Sequence, residues 1–199
     1  ILVGSGADPG LGLVLLAGES YYRFIYDATD SFGCTKPCKR WMARHYQLTR
    51  QGSRDDVEYA AAIAPNLRRV SFMGDSFTTG HGVRNVEDLF WYRIRNAHPG
   101  WEVHDLAILG RDTGGQVSMM TEALSQGYQL DEVVLVYCLN DISDLIPGWN
   151  LAMQQLYAEV QQTGWLVRHS YFVNVMYWRN RFRNDANLGN YYQCVREAY

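Results

Sequence analysis

The sequence lacks a surplus of charge of either sign: 18 Lys and Arg stand against 21 Asp and Glu, a formal net charge of -3 with a pI near 5.9. Such a balance gives the chain as a whole no pull toward nucleic acid or an anionic membrane, so binding of that kind would need a local patch. Long apolar runs are missing too. Leu11 to Ala17 makes a run of seven, too short to cross a bilayer alone, and Asp8-Pro9-Gly10 interrupts what precedes it. With Ile1 rather than Met at the start and Glu19 and Arg23 following the run at once, residues 1–18 read as the remnant of a signal anchor rather than a simple buried segment. Cysteine is sparse, at Cys34, Cys38, Cys138 and Cys194. The Cys34-Thr35-Lys36-Pro37-Cys38 spacing offers too few partners for zinc and differs from a C-x-x-C redox pair, which leaves a local disulfide and two free thiols both open. Cys138, in an apolar stretch, reads as a buried inert thiol. The phosphate-cradling loops are missing as well: no Lys-Ser/Thr pair follows a G-x-x-x-x-G frame, and G-x-G-x-x-G fails at its third glycine. Neither a metal nor an organic cofactor is implied.

What is there is a chain of 199 residues, 47% hydrophobic and 14% aromatic, able to bury a substantial core and most simply read as one α/β domain. Its organising stretch is Val70-Ser71-Phe72-Met73-Gly74-Asp75-Ser76-Phe77-Thr78-Thr79-Gly80. Val70 to Met73 are apolar or small and suit a strand, Gly74 removes the Cβ that would block a sharp turn, and Asp75 forms turns and caps. Ser76 is therefore expected at a helix start, where unpaired N–H groups and the helix dipole stabilise negative charge developing on a substrate oxygen. That is a geometry for acyl transfer.

The order of elements extends this reading. Val86 to Ala97 has a helical apolar pattern ended by His98-Pro99-Gly100, Trp101 to Ala107 alternates as a second strand, and Met119 to Gly127 reads as a short helix. Glu132 to Leu139 is a continuous apolar run of the kind buried on both faces of a parallel sheet. Strand, helix, strand, helix, strand implies parallel crossovers with helices on both faces, and ligands bind such sheets at the carboxyl ends of the strands. Ser76, Gly110 and Asn140 all fall there. From Trp149 onward the pattern is helical, one helix stopping near Gly164 and a second running from Trp165 to Arg183 with Arg168, Arg179, Arg181 and Arg183.

Gly74-Asp75-Ser76-Phe77-Thr78-Thr79-Gly80 resembles the first signature block of the SGNH (GDSL-type) hydrolases, and Gly110 and Asn140-Asp141 are similar to the second and third. Gln51-Gly52-Ser53-Arg54-Asp55-Asp56-Val57-Glu58 is similar to a segment ahead of the serine block in one bacterial subgroup, with His45 and Arg54 as residues that could line a site. The resemblance implies a three-layer, flavodoxin-like parallel sheet over residues 61–199, with a leader over 1–60 packing across it and a helical lid or insertion at about 150–199. It makes Ser76 the nucleophile, and the Ser76 and Gly110 amides with the Asn140 side chain an oxyanion hole, Gly114 and Gly115 competing with Gly110. The implied activity is a serine esterase or O-acyltransferase acting on O-acyl groups, carbohydrate O-acetyl esters among them, in a periplasmic or membrane-anchored protein. No nucleic-acid partner is implied, and residues 1–30 and 165–183 are the expected route to a membrane or a protein-complex partner.

Three departures stand out. Cys138 occupies the place of a glycine two residues before the asparagine, and Asp105 stands nearest to where the second block carries an asparagine. The family's Asp-x-x-His block, which supplies the general base, occurs nowhere in the 199 residues, and none of His45, His81, His98, His104 and His169 stands in such a motif. The alternative is a non-catalytic SGNH-like subunit of a larger, membrane-bound assembly.

Overall fold

A computed structural model describes residues 9–138, 141 and 149–184. Its elements are α1 (Pro9–Ser20), a π-helical turn (Tyr21–Ile25), α2 (Lys36–His45), β1 (Arg68–Gly74), a 3-10 turn (Val86–Asp88), α3 (Phe90–Ala97), β2 (Trp101–Asp105), α4 (Thr113–Ser125), β3 (Glu132–Val136), α5 (Trp149–Gln162), α6 (Trp165–His169) and α7 (Tyr171–Asn184). The fold is mixed α/β, and the chain divides into two compact units. Residues up to 43 belong with those from 152, so the leader shares a unit with the C-terminal helices, and the residues from 44 to 151 form the other.

In the second unit the sheet is three-stranded and wholly parallel in the order β2-β1-β3. β1 is central, pairing Val70 with Val103 on one side and with Glu132 on the other. Alternation along β1 sends Val70 and Phe72 to one face, where Leu89, Trp91 and Val103 close a core with Tyr92 and Ile94 of α3. Met73 points to the other face, against Leu106 and against Met120 and Ala123 of α4. Helices thus cover both faces of β1.

The α4 face also holds a buried ion pair. Arg69 is fully buried, its guanidinium 2.7 Å from Glu102 and donating to the carbonyls of Ala60, Ala61 and Gln129. Its charge lies over the rings of Tyr59 and Tyr128, at 5.8 and 5.9 Å from their centroids. Arg69 thereby ties the irregular segment before β1 to the loop before β3.

Several boundaries differ from the sequence reading. The expected helix over 86–97 is a 3-10 turn followed by α3, because Leu89 takes an extended conformation between them and drops into the core. α4 starts six residues earlier than expected, since the Asp112 side chain caps it by accepting from the Gly115 N–H at 2.8 Å. β3 ends at Val136 instead of Leu139, and it is buried on one face only. Val134 and Val136 pack on the α3-side core, whereas Val133 and Leu135 lie on the face that α4 leaves uncovered among the described residues. Cys138 is accordingly half-buried and outside the strand.

In the first unit, the Asp30 carboxylate caps α2 by accepting from the Cys34 and Thr35 N–H groups at 3.1 and 3.0 Å. Cys34 and Cys38 are buried free thiols, pushed up to about 12 and about 11 by burial. The helix expected over Trp165 to Arg183 is broken at Ser170, which leaves helical geometry and whose hydroxyl accepts the Val173 N–H at 3.1 Å. Cys194 lies outside the described residues.

Arg69→Ala would strand the Glu102 carboxylate and three carbonyls and is expected to destabilise the protein by about 3–5 kcal/mol. The urea midpoint measures it, and a loss below about 1 kcal/mol would show that water replaces the guanidinium.

Candidate active site

Three parallel strands must end on a common edge, and past the end of β2 the pairing with β1 stays in force. Leu106 and Ile108 donate to the carbonyls of Phe72 and Gly74 at 2.8 and 3.3 Å, so the segment leading to Gly110 runs beside the end of β1. Gly74 is paired with Val136, which brings the segment after β3 to the opposite side of β1. A Cβ at Gly74 would overlap the Thr78 hydroxyl and approach the Val136 carbonyl to 3.0 Å, so the chain can fold back tightly only with glycine there.

Ser76 follows, half-buried, in consecutive turns spanning 76–82 and not at the start of a helix as expected. The physical reason lies in the hydrogen bonds of Asp75. Its fully buried carboxylate accepts the Phe77 N–H at 2.9 Å and the Ser76 hydroxyl at 3.3 Å, an Asx turn that competes with helical pairing. Beyond it Thr79 N–H donates to the Asp75 carbonyl and His81 N–H to the Ser76 carbonyl, at 3.1 and 2.8 Å. Glycines at 80 and 82 with φ of +71° and +87° prevent continuation.

This loop is held from beneath. Arg54, almost fully buried, spreads its guanidinium over the carbonyls of Thr79, Gly80, Val83 and Arg84 at 2.7–3.2 Å and also reaches the His45 carbonyl. The Tyr46 hydroxyl donates to Thr79 Oγ1 at 2.5 Å, and the Trp91 indole to the Thr78 carbonyl at 3.0 Å. The loop's carbonyls are thus drawn inward. Among the described residues neither the Ser76 N–H nor the Gly110 N–H has an acceptor. Gly110 sits at φ +70° in a turn closed by Arg111 N–H to the Ile108 carbonyl at 3.4 Å, with nothing within 4 Å of where a Cβ would stand. Conformation and not space is what requires glycine there. Of its two competitors, Gly115 has its N–H occupied by the Asp112 cap and Gly114 lies inside the first turn of α4.

On the β3 side, Asn140 lies outside the described residues, between Cys138 and Asp141. Asp141 is buried, accepts the Cys138 N–H at 2.8 Å and takes the Thr113 hydroxyl on its carbonyl at 3.0 Å, which ties this segment to the N-terminus of α4. Burial raises the pKa of its carboxyl, the Cys138 N–H and Gln116 oppose the rise, and Asp75 and Asp112 add to it. Asp75 from the end of β1 and Asp112 from the start of α4 thus lie close enough to act on Asp141, as convergence on one rim entails.

Among the described residues no histidine lies within hydrogen-bond reach of the Ser76 hydroxyl. His104 sits on β2 between Ser71 and Gln51, at 3.4 and 3.2 Å, and burial, with Arg69 and Arg95 nearby, pushes it down to about 4. It is a neutral packing group. His98 stacks on Trp101, and His169 on Trp165 in the other unit. His45 and Arg54 line a cavity of about 210 Å³ together with Asp55, Asp56 and Arg84. There Arg95 pairs with Asp55 at 2.5 Å, and burial still raises Asp55 to about 6.

Tyr46 and Trp91, which support the serine loop, escaped the sequence reading, and Asp75, expected as a turn and cap former, supports the loop through its carboxylate. Asp105 is the other surprise. It is fully buried at the end of β2, with one oxygen accepting the Ala107 N–H at 3.0 Å and the other without a partner among the described residues. Burial pushes its carboxyl well above the ordinary range, with the Ala107 N–H opposing the rise. Comparison with protein-family models, with curated proteins and with solved structures finds no match to this chain.

Arg54→Lys keeps the charge but cannot fork across four carbonyls, so amide exchange over residues 79–84 is expected to accelerate at least tenfold and stability to fall by about 2 kcal/mol. Unchanged exchange would show that the turns hold themselves. For Asp105, a folded pKa above the unfolded value makes its contribution complete below about pH 4 and lost as pH rises through the folded value. Asp105→Asn is therefore expected to raise the urea midpoint more at pH 8 than at pH 4. Equal shifts at both pH values would mean that the native carboxyl is ionised.

Proposed function

We propose that this chain carries the nucleophile and the oxyanion donors of an SGNH-type serine esterase or O-acyltransferase, built on that family's three-layer sheet and acting outside the cytoplasm on O-acyl esters, carbohydrate O-acetyl groups foremost. The observation that carries the reading is the rim itself. A half-buried serine hydroxyl follows the central parallel strand, and two N–H groups without acceptors among the described residues belong to loops joined to that strand. Ser76 Oγ would attack the ester carbonyl carbon as its proton passes to a base, forming the C–O bond and driving the carbonyl electron pair onto oxygen. The Ser76 and Gly110 amides and the Asn140 side chain would receive that oxyanion, each such donor being worth about 3–4 kcal/mol in the transition state. Collapse expels the alcohol, which takes the proton, and leaves an acyl-serine for water or a sugar hydroxyl to accept.

The family's Asp-x-x-His base is not among these 199 residues. The same fact, with Ser76 bonded to Asp75 in place of a histidine, favours the second reading, a non-catalytic SGNH-like subunit of a larger assembly.

A fluorophosphonate probe followed by peptide mass spectrometry separates the two. Covalent labelling at Ser76, abolished in Ser76→Ala, is the expected result for the enzyme. A folded protein that stays unlabelled in its native assembly would leave the subunit reading.

A further inference from the structure

The leader helix α1 is apolar around its whole circumference and exposed along its length. Leu11, Leu13, Val14, Leu15 and Leu16 are 59, 69, 62, 44 and 67% exposed. Successive helical residues turn by about 100°, so the four from 13 to 16 face every direction. No charged side chain occurs from Pro9 to Gly18. A groove on a protein partner covers one stripe of an amphipathic helix and leaves the opposite side to water. A helix apolar on all sides belongs in a core or in hydrocarbon.

The C-terminal end of α1 is fastened to its own unit. A Cβ at Gly18 would come within 2.6 Å of the Phe172 ring, so glycine lets the helix backbone lie directly on α7. Glu19 then accepts from the Arg23 guanidinium at 2.5 and 2.8 Å, from the Ser170 hydroxyl at 2.7 Å and from the Phe172 N–H at 3.0 Å. Polar chemistry begins at that clamp. Around it stand more exposed apolar groups: Phe24 and Ile25 on the π-helical turn, and Trp165 and Leu166 on α6, whose His169 carbonyl accepts from Arg23 at 3.2 Å. Tyr21, Tyr22 and Tyr26 cluster beside them with ring centroids 5.1–6.0 Å apart. An apolar peg with a collar of Trp, Tyr and Arg at its base is the arrangement that suits the boundary between acyl chains and headgroups.

We propose that α1 inserts into the hydrocarbon of a lipid bilayer and that the collar of Tyr21, Phe24, Ile25 and Trp165 seats the first unit at the headgroup level. Its twelve described residues rise about 18 Å, enough to reach through one leaflet of a hydrocarbon core about 30 Å thick. No described helix is long and apolar enough to span a membrane.

The test is flotation of the 199-residue chain on phosphatidylcholine vesicles in 0.5 M NaCl. Wild type is expected to float, and Leu13→Glu with Leu16→Glu to lower the bound fraction at least tenfold while circular dichroism is unchanged, both side chains being mostly exposed. A second variant, Trp165→Ala with Phe24→Ala, is expected to weaken flotation several-fold and leaves α1 untouched. Three outcomes would overturn the proposal: no flotation of the wild type; flotation that needs phosphatidylglycerol and disappears in high salt, which would be surface electrostatics; or a concentration-dependent dimer, broken by the glutamates, that does not float.

Discussion

Parallel pairing on both sides of β1 is the constraint from which the candidate site follows. A strand hydrogen-bonded to two parallel neighbours cannot send its own carboxyl end to one edge and theirs to another. The register carries this beyond the strands: Gly74 lies opposite Val136 and accepts from Ile108, so the chains on either flank are still attached where β1 turns. Ser76, Gly110 and Asp141 come to one rim for that reason, and long-range sequence separation is no obstacle once the ladders have formed.

Position on a rim does not give a loop shape, and here two buried arginines supply it. Arg54 gathers the carbonyls that follow the serine, and Arg69 gathers those that precede β1 and β3. Each replaces the missing regularity of a loop with N–H donors held in a fixed plane. One effect is directional. With its carbonyls turned inward to a cation, the serine loop keeps the Ser76 amide without an acceptor among the described residues, the arrangement that oxyanion binding requires.

Much of this was readable in the sequence because it rests on periodicity. Alternation placed β1 and β2 within two residues, and the apolar run marked β3 although its end was drawn too late, since Tyr137 and Cys138 continue the apolar composition after pairing has stopped. The helix expected at Ser76 failed because Asp75, read as a cap, spends its carboxylate on an Asx turn and the two glycines then adopt positive φ. The start of α4 was missed because Gly114 and Gly115 lower helix propensity, which the Asp112 cap overrides. The partnership of the leader with the C-terminal helices was illegible for another reason. It depends on contacts such as Gly18 with Phe172 and Lys36 with Asn174, separated by more than a hundred residues and marked by no local pattern.

β3 pairs on one side only among the described residues, and it shows Val133 and Leu135 on the face that α4 leaves open, with Leu124 of α4 also exposed. A short row of backbone donors and acceptors unpaired among the described residues, beside apolar side chains, is a template for adding another strand. During synthesis or renaturation this makes concentration the governing variable: encounters between nascent copies rise with its square, whereas closure within a single molecule does not. Dilute, slow release from denaturant, or a binder that caps the edge, therefore favours closure within one molecule over pairing between copies.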